Sequence, residues 1–203
     1  MAYQTPKQKA EAGTLPAVVA KPKRNTPVRQ PKSDSVLLAE AGYVVPTISR
    51  HARYIAGIDP DIDKSGLVIY DRQENAWLCT TATLHMLIQG ITQDFVPDSI
   101  DFIVEAGWDN KGFFHFGGFP PGFDKWGQKS QFAYIAKVGS RVGENFGIGK
   151  TIVHMLQAMG YRVHTVKPQS GKWDADEFMQ KTGLTYGYNP EVRDACRTMY
   201  PFK

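Results

Sequence analysis

Three short apolar segments lie close together between residues 54 and 81, and they narrow the choice of fold. They are Tyr54–Asp59, Gly66–Tyr70 and Ala76–Thr81, with turn-forming residues between them. Segments of this length, rich in β-branched and aromatic residues and bounded by turn formers, are typical of β-strands. The connections are too short for a crossover helix, so we predict an antiparallel meander.

Helical and strand patterns alternate along the rest of the chain. They predict a helix at 83–95, a strand at Ile100–Glu105, helices at about 128–141 and 146–159, a strand at Tyr161–Val166, and helices at 173–181 and 190–199. The segment 106–127 is rich in glycine, proline and aromatic residues, and we interpret it as a long loop. This order predicts an α/β fold, with a mixed five-stranded sheet flanked by helices.

The first 35 residues differ in composition from the remainder. Residues 1–32 hold seven lysines and arginines against one acid, together with five prolines. Such a segment buries too little apolar surface to offset the entropy of ordering it, so we predict a disordered basic arm at 1–35 and one domain at 36–203. The arm suits a nucleic-acid partner through counterion release. A solubilising tail without a specific partner is the alternative, and composition leaves both open.

Composition also excludes several classes of protein. The chain of 203 residues contains no apolar run of 18 residues, which argues against a membrane span, and its start has no apolar core for a secretory signal. Cys79 and Cys196 are the two cysteines, too few for a disulfide framework or a zinc cluster. They fit a reducing environment, and we predict a cytoplasmic protein.

Two of the predicted strands end in a carboxylate. Asp59 and Glu105 would project at one edge of the sheet if their strands are neighbours, where sites in α/β sheets tend to form. Asp194 lies on the last helix beside the small residue Ala195, and Glu191 lies three residues earlier on the same face. Converging carboxylates favour a hard cation such as Mg²⁺. Acids are also common at strand ends without any site, and spacing alone leaves both interpretations open.

The residue identities in these segments are more specific for a family than the spacing of the acids. The segment Ala56-Gly-Ile-Asp-Pro60, with Gly66 after it, resembles the opening strand of RuvC-type Holliday-junction resolvases. Ile103-Val-Glu105 is similar to that family's strand ending in glutamate, and Glu191-Val-Arg-Asp-Ala195 to its closing helix. Small RuvC-like proteins of bacteriophages also share the stretch seen here as Lys172-Trp-Asp-Ala-Asp-Glu-Phe178 with Thr182-Gly183. The resemblance covers roughly residues 54–200.

The resemblance implies an RNase H-like fold and Mg²⁺- or Mn²⁺-dependent endonucleolytic attack on DNA. By match of position it implies Asp59, Glu105 and Asp194 as metal ligands and Glu191 as a fourth catalytic residue. We expect two ions, one held by Asp59 and Asp194 and the second shared with Glu105. Asp61 stands where the family usually has glycine, and Glu191 stands where it usually has histidine or aspartate, which puts the role of Glu191 in question.

The resemblance also implies a branched DNA substrate, and with it an oligomeric state. Two symmetric cuts in a four-way junction need two active sites, so we expect a homodimer. Three alternatives remain open at this point. In the first, the same fold acts on flaps, forks or RNA–DNA hybrids, since fold does not fix function. In the second, the chain is a non-catalytic nucleic-acid-binding protein on the same scaffold, and the acids at all three positions argue against it. In the third, it belongs to the actin-like nucleotide-binding class, and the short chain and the lack of a second glycine-rich phosphate loop argue against it.

Four further residues are candidates for contact with nucleic acid. Trp108 is similar in position to an aromatic residue that stacks at the junction centre in RuvC-type enzymes. Lys111, Lys150 and Lys172 are candidates to bind phosphate, and for Lys172 an ordinary solvated face is an equal alternative. The alternative for most rings of the 106–127 loop is that they pin the loop to the body. The segment Gly147-Ile-Gly-Lys-Thr151 lacks the first glycine of a phosphate loop, because Glu144 takes that place, and we reject ATP binding there.

Overall fold

A mixed five-stranded sheet forms the centre of the molecule. The computed structural model describes residues 47–110, 118–169 and 171–203. The strands are β1 (Tyr54–Asp59), β2 (Ser65–Asp71), β3 (Ala76–Ala82), β4 (Ile100–Glu105) and β5 (Arg162–Val166), in the order β3-β2-β1-β4-β5. Strands β1, β2 and β3 pair antiparallel, whereas β1 and β4, and β4 and β5, pair parallel. The predicted meander and the predicted mixed five-stranded sheet of an α/β fold are confirmed.

Four α-helices flank the sheet in the described part of the chain. They are α1 (Leu84–Asp94), α2 (Gln128–Ala158), α3 (Ala175–Thr182) and α4 (Pro190–Met199). Side chains cap three of their N-termini: Thr83 accepts from the backbone N–H of Met86, Asp174 from that of Glu177, and Asn189 from that of Val192. These caps confirm α1, α3 and α4 to within two residues of the predicted bounds.

The prediction of two helices at 128–141 and 146–159 is wrong, because α2 is continuous over 31 residues. A glycine costs a helix only about 1 kcal/mol, so Gly143 does not end it, and no proline lies in the segment. The C-terminal half of α2 supplies its buried residues, Gly149, Ile152, Val153 and Leu156. The segment 147–151, considered above as a phosphate loop, lies inside this helix.

Helices cover both faces of the sheet, and side-chain alternation decides which residues meet them. Ala56 and Ile58 of β1 pack with α1 and the end of α2, whereas Ile55 packs with α3 and α4. Successive side chains of a strand point to opposite faces. Asp59 therefore lies on the same face as Ile55, and Glu105 on the same face as Ile103, which is the α4 side for both strands.

Two glycines let α4 lie directly on the sheet. A Cβ atom at Gly57 would stand 2.1 Å from the carbonyl oxygen of Ala195, and one at Gly66 would stand 2.1 Å from that of Glu191. Both distances are far below van der Waals contact, so the bare backbone of β1 and β2 sets the position of the helix that carries Asp194. Separately, none of the helices in the described ranges has the length and apolar character to cross a membrane.

Candidate metal and nucleic-acid site

The four predicted acids come together at the carboxyl ends of β1 and β4. Asp59 and Glu105 end those two strands, and Glu191 and Asp194 lie on the first turns of α4. All four line one cleft of about 580 Å³. Helix α2 and the loop after β5 supply much of the remaining wall. The structure thus places the four predicted catalytic residues in a single cleft.

Asp194 is the most buried of the acids, and its two oxygens differ in their surroundings. Oδ2 lies 2.7 Å from Nζ of Lys172, whereas Oδ1 is buried and has no hydrogen-bond partner among the described residues. The side chain of Asp194 is 10% exposed. A buried acceptor without a partner costs free energy, so Oδ1 is an available ligand atom.

The other two candidate ligands are in an environment that opposes their negative charge. Burial raises the pKa of Asp59 well above its ordinary value, and the charges of Glu105 and Asp194 raise it further. Burial also raises the pKa of Glu105, while the positive charge of Arg197 counteracts this. The hydroxyl of Thr198 lies 3.2 Å from Oε2 of Glu105 and 2.9 Å from the carbonyl oxygen of Asp194, and so holds the glutamate to α4.

The donor set fits a hard divalent cation in its chemistry. It consists of carboxylate oxygens, which Mg²⁺ and Mn²⁺ accept, and it includes the unpartnered Oδ1 of Asp194. Within the described ranges, no three or more histidine, cysteine, aspartate or glutamate side chains are arranged as a ready-made metal cluster. Asp59, Glu105 and Asp194 are the residues that would hold the ion.

The residues predicted to contact nucleic acid differ in whether they line the cleft. Trp108 lines the cleft and packs over α2, where a Cβ at Gly149 would stand 2.4 Å from its ring. Lys172 lines the cleft and pairs with Asp194. Lys150 is exposed on α2 and is not among the cleft residues. Lys111 lies outside the described residues.

Residues that the sequence did not single out complete the cleft. Arg141 and Asn145 reach it from α2. Asn145 donates to Oδ2 of Asp61 at 3.3 Å and accepts from the backbone N–H of Ile62 at 3.1 Å, which fixes the turn after β1. Arg197 lies one helical turn after Asp194, so helical spacing could have found it. No such signal marks Arg141, because its helix meets the cleft through tertiary packing.

Two arginines of α4 hold the loop that carries Lys172. Arg197 donates to the carbonyl oxygens of Gln169, at 3.0 Å, and Gly171. Arg193 donates from Nε to the carbonyl oxygen of Trp173 at 3.0 Å. The backbone on both sides of Lys172 is therefore tied to the helix that bears Asp194.

Solved structures of RuvC from Thermus thermophilus are similar to this chain. Thermus thermophilus RuvC in complex with Holliday junction substrate is 13% identical, with a TM-score of 0.42 over 73% of this chain and 90% of that one. A second Thermus thermophilus RuvC structure is 14% identical, with a TM-score of 0.40 over 73% and 92%. No protein-family model matches the chain, and no curated protein does. Because these identities and TM-scores are low, the fold class is assigned from the sheet topology of this chain. Its function is inferred from the residues of the cleft.

Proposed function

We propose that this protein is a divalent-metal-dependent endonuclease that cleaves branched DNA, with a four-way junction as its substrate. The observation that carries the proposal is the convergence of Asp59, Glu105 and Asp194 from three separate elements on one open cleft. Burying acids together in this way costs stability, as the raised pKa values of Asp59 and Glu105 indicate. A cation-binding role accounts for that cost.

A bound divalent cation would supply activation of the attacking water and charge stabilisation of the departing oxygen of a phosphodiester. The residues of the chain position the reactants. Asp59, Glu105 and Asp194 would bind the ion, and Thr198 orients Glu105 through its hydroxyl. Lys172 and Arg141 line the cleft and provide positive charge for the phosphates on either side of the cut. Glu191 lines the same cleft and remains a candidate fourth ligand.

The substrate follows from the motif resemblance described above. Branched DNA, Mg²⁺ or Mn²⁺ as the ion, two ions in each site, and a homodimer with two symmetric sites all enter the proposal on that basis. Contact between DNA and the 1–35 arm, Trp108, Lys111 or Lys150 belongs to the same proposal. Flaps, forks and RNA–DNA hybrids are the substrates against which the four-way junction must be compared.

A gel assay with Mg²⁺ tests the proposal directly. Wild type, Asp194→Asn and Asp94→Asn would be incubated with a four-way junction, a linear duplex, a single strand, a flap and an RNA–DNA hybrid. We expect paired symmetric nicks in the junction, and a loss of more than about 100-fold in Asp194→Asn. Asp94 is exposed at the C-terminal end of α1, so Asp94→Asn makes the same chemical change away from the cleft and should cleave like wild type.

Each other outcome points to a specific alternative. Cleavage of another substrate that is lost in Asp194→Asn would support the nuclease activity and show that the four-way junction is not the substrate. Cleavage that survives in Asp194→Asn would mean that Asp194 is not an essential metal ligand, or that a contaminating nuclease is present. Binding of DNA without cleavage of any substrate would favour the non-catalytic nucleic-acid-binding protein.

A further inference from the structure

One cation of the protein already contacts a candidate metal ligand. Nζ of Lys172 lies 2.7 Å from Oδ2 of Asp194, and this hydrogen bond raises the pKa of the lysine. The two partners differ in accessibility, because the side chain of Lys172 is 73% exposed and that of Asp194 only 10%. The ammonium group reaches the carboxylate from the solvent side and can leave without any core residue moving.

The position of Lys172 is built into the fold. Its neighbours Gly171 and Trp173 have their carbonyl oxygens bound by Arg197 and Arg193. Both arginines lie on α4, as does Asp194. The backbone of Lys172 is therefore held at a fixed place relative to Asp194, and the freedom that remains is that of its own side chain.

The charges in the cleft explain what this arrangement does. Asp59, Glu105 and Asp194 repel one another, and the ammonium group of Lys172 attracts all three. A divalent cation that binds Asp194 through Oδ1 shares the carboxylate with the ammonium group on Oδ2, and the two positive charges repel each other. Occupation by the lysine and occupation by the metal oppose each other.

We propose that Lys172 is a built-in counter-ion that competes with the divalent cation for the negative charge of Asp194, so that the site binds the cation more tightly once its ammonium group leaves the carboxylate. The inference rests on the proposed metal site and adds a residue that sets the affinity of that site. Lys172 is a positioning residue in this role, and its effect is measured on metal binding rather than on cleavage.

The experiment is a titration of the full-length protein with Mn²⁺ in the absence of DNA, with free Mn²⁺ followed by electron paramagnetic resonance. Lys172→Gln removes the ammonium group, and Lys172→Arg keeps a cation at the same position. Lys167→Gln is the charge-matched control, because Lys167 is exposed in the same loop and is not among the cleft residues. Thermal unfolding in EDTA checks that each variant folds, and Lys172→Met replaces Lys172→Gln if the latter does not.

We expect Lys172→Gln to lower the Kd for Mn²⁺ by about threefold or more, since it removes a positive charge that shares the Asp194 carboxylate with the cation. Lys172→Arg should stay near wild type, and Lys167→Gln should change the Kd by less than about twofold, because its charge is screened by solvent. Binding by Lys172→Gln alone, with none by wild type, would be the same competition in a stronger form.

The results that overturn the inference are distinct from those that overturn the proposed function. If wild type binds Mn²⁺ and Lys172→Gln binds it equally or more weakly, the competition is absent and the metal site stands. An equal gain of Mn²⁺ affinity in Lys172→Gln and Lys167→Gln would mean that only the general charge of the protein matters. The contact between Lys172 and Asp194 would then have no role. If neither wild type nor Lys172→Gln binds Mn²⁺, both the inference and the proposed function fail.

Discussion

At the scale of single residues, the environment of Asp59 destabilises the folded protein, whereas the proposed metal binding needs that same ionised carboxylate. Burial and the charges of Glu105 and Asp194 raise its pKa, so the folded protein disfavours its ionised form. The substitution Asp59→Asn removes that charge and keeps the shape of the side chain. We expect a more stable metal-free protein that no longer responds to metal.

Thermal unfolding with EDTA and with Mg²⁺ measures both effects. In EDTA the midpoint should rise by about 2 to 4 °C for each kcal/mol of repulsion relieved in a chain of this size. In Mg²⁺ the wild-type midpoint should rise, because a ligand of the folded state stabilises it, and that of Asp59→Asn should not. Asp63→Asn is the control, since Asp63 is exposed in the adjacent turn. A variant that is less stable than wild type in EDTA would contradict this view of Asp59.

How far the sequence predicts the site also depends on particular residues. Asp59 and Glu105 could be placed together because each ends an apolar strand, and strand alternation puts both on the α4 face. The ion pair of Lys172 with Asp194 could not be predicted. It depends on the path of the loop after β5, which Arg193 and Arg197 fix through backbone carbonyls, and hydrogen bonds of this kind leave no periodic signal in the sequence.

At the scale of secondary-structure elements, the contact between α4 and the sheet decides where Asp194 lies. A methyl group at Gly66 would stand 2.1 Å from the carbonyl oxygen of Glu191, so Gly66→Ala must push the helix away from β2. We expect a loss of about 1 to 3 kcal/mol in the free energy of unfolding, as for other overpacked sites. Mg²⁺ binding should weaken as well, because Asp194 moves with the helix.

Urea unfolding and a metal titration on the same samples test this effect. Gly90→Ala is the matched control, because a Cβ at Gly90 in α1 meets nothing within 4 Å. Alanine is the better helix former, so that control should gain about 0.5 to 1 kcal/mol. If Gly66→Ala behaved like Gly90→Ala, the close approach of α4 to β2 would not be what positions the acid.

The elements also differ in how well their sequence patterns define them. The strands and α4 were predicted to within two residues, because turn formers and Pro190 mark their ends. Helix α2 was not. Its glycines at 139, 143 and 147 each have open space around the missing side chain, so neither packing nor a turn requires them. An exposed helical segment is defined by local propensity alone, which is a weak predictor.

At the scale of the whole molecule, the cleft has cationic walls on two sides of the acids. Lys172 comes from the loop after β5, and Arg141 comes from the long helix α2. Lys172 is paired with Asp194, whereas Arg141 makes no ion pair with any residue in the described ranges. A guanidinium group that lines a cleft and makes no ion pair with the described residues is suited to a phosphate of the substrate.

Arg141→Gln should therefore weaken DNA binding and leave metal binding unchanged. The measurement is the affinity for a four-way junction at several salt concentrations, with Ca²⁺ in place of Mg²⁺ to prevent cleavage. Loss of one phosphate contact should reduce the slope of log K against log salt by about 1. Lys137→Gln removes a charge from the exposed surface of the same helix, outside the cleft lining, and should leave the slope nearly unchanged. Equal effects of the two variants would mean that α2 attracts DNA only through its general charge, and the path of the DNA would then have to follow the Lys172 side of the cleft.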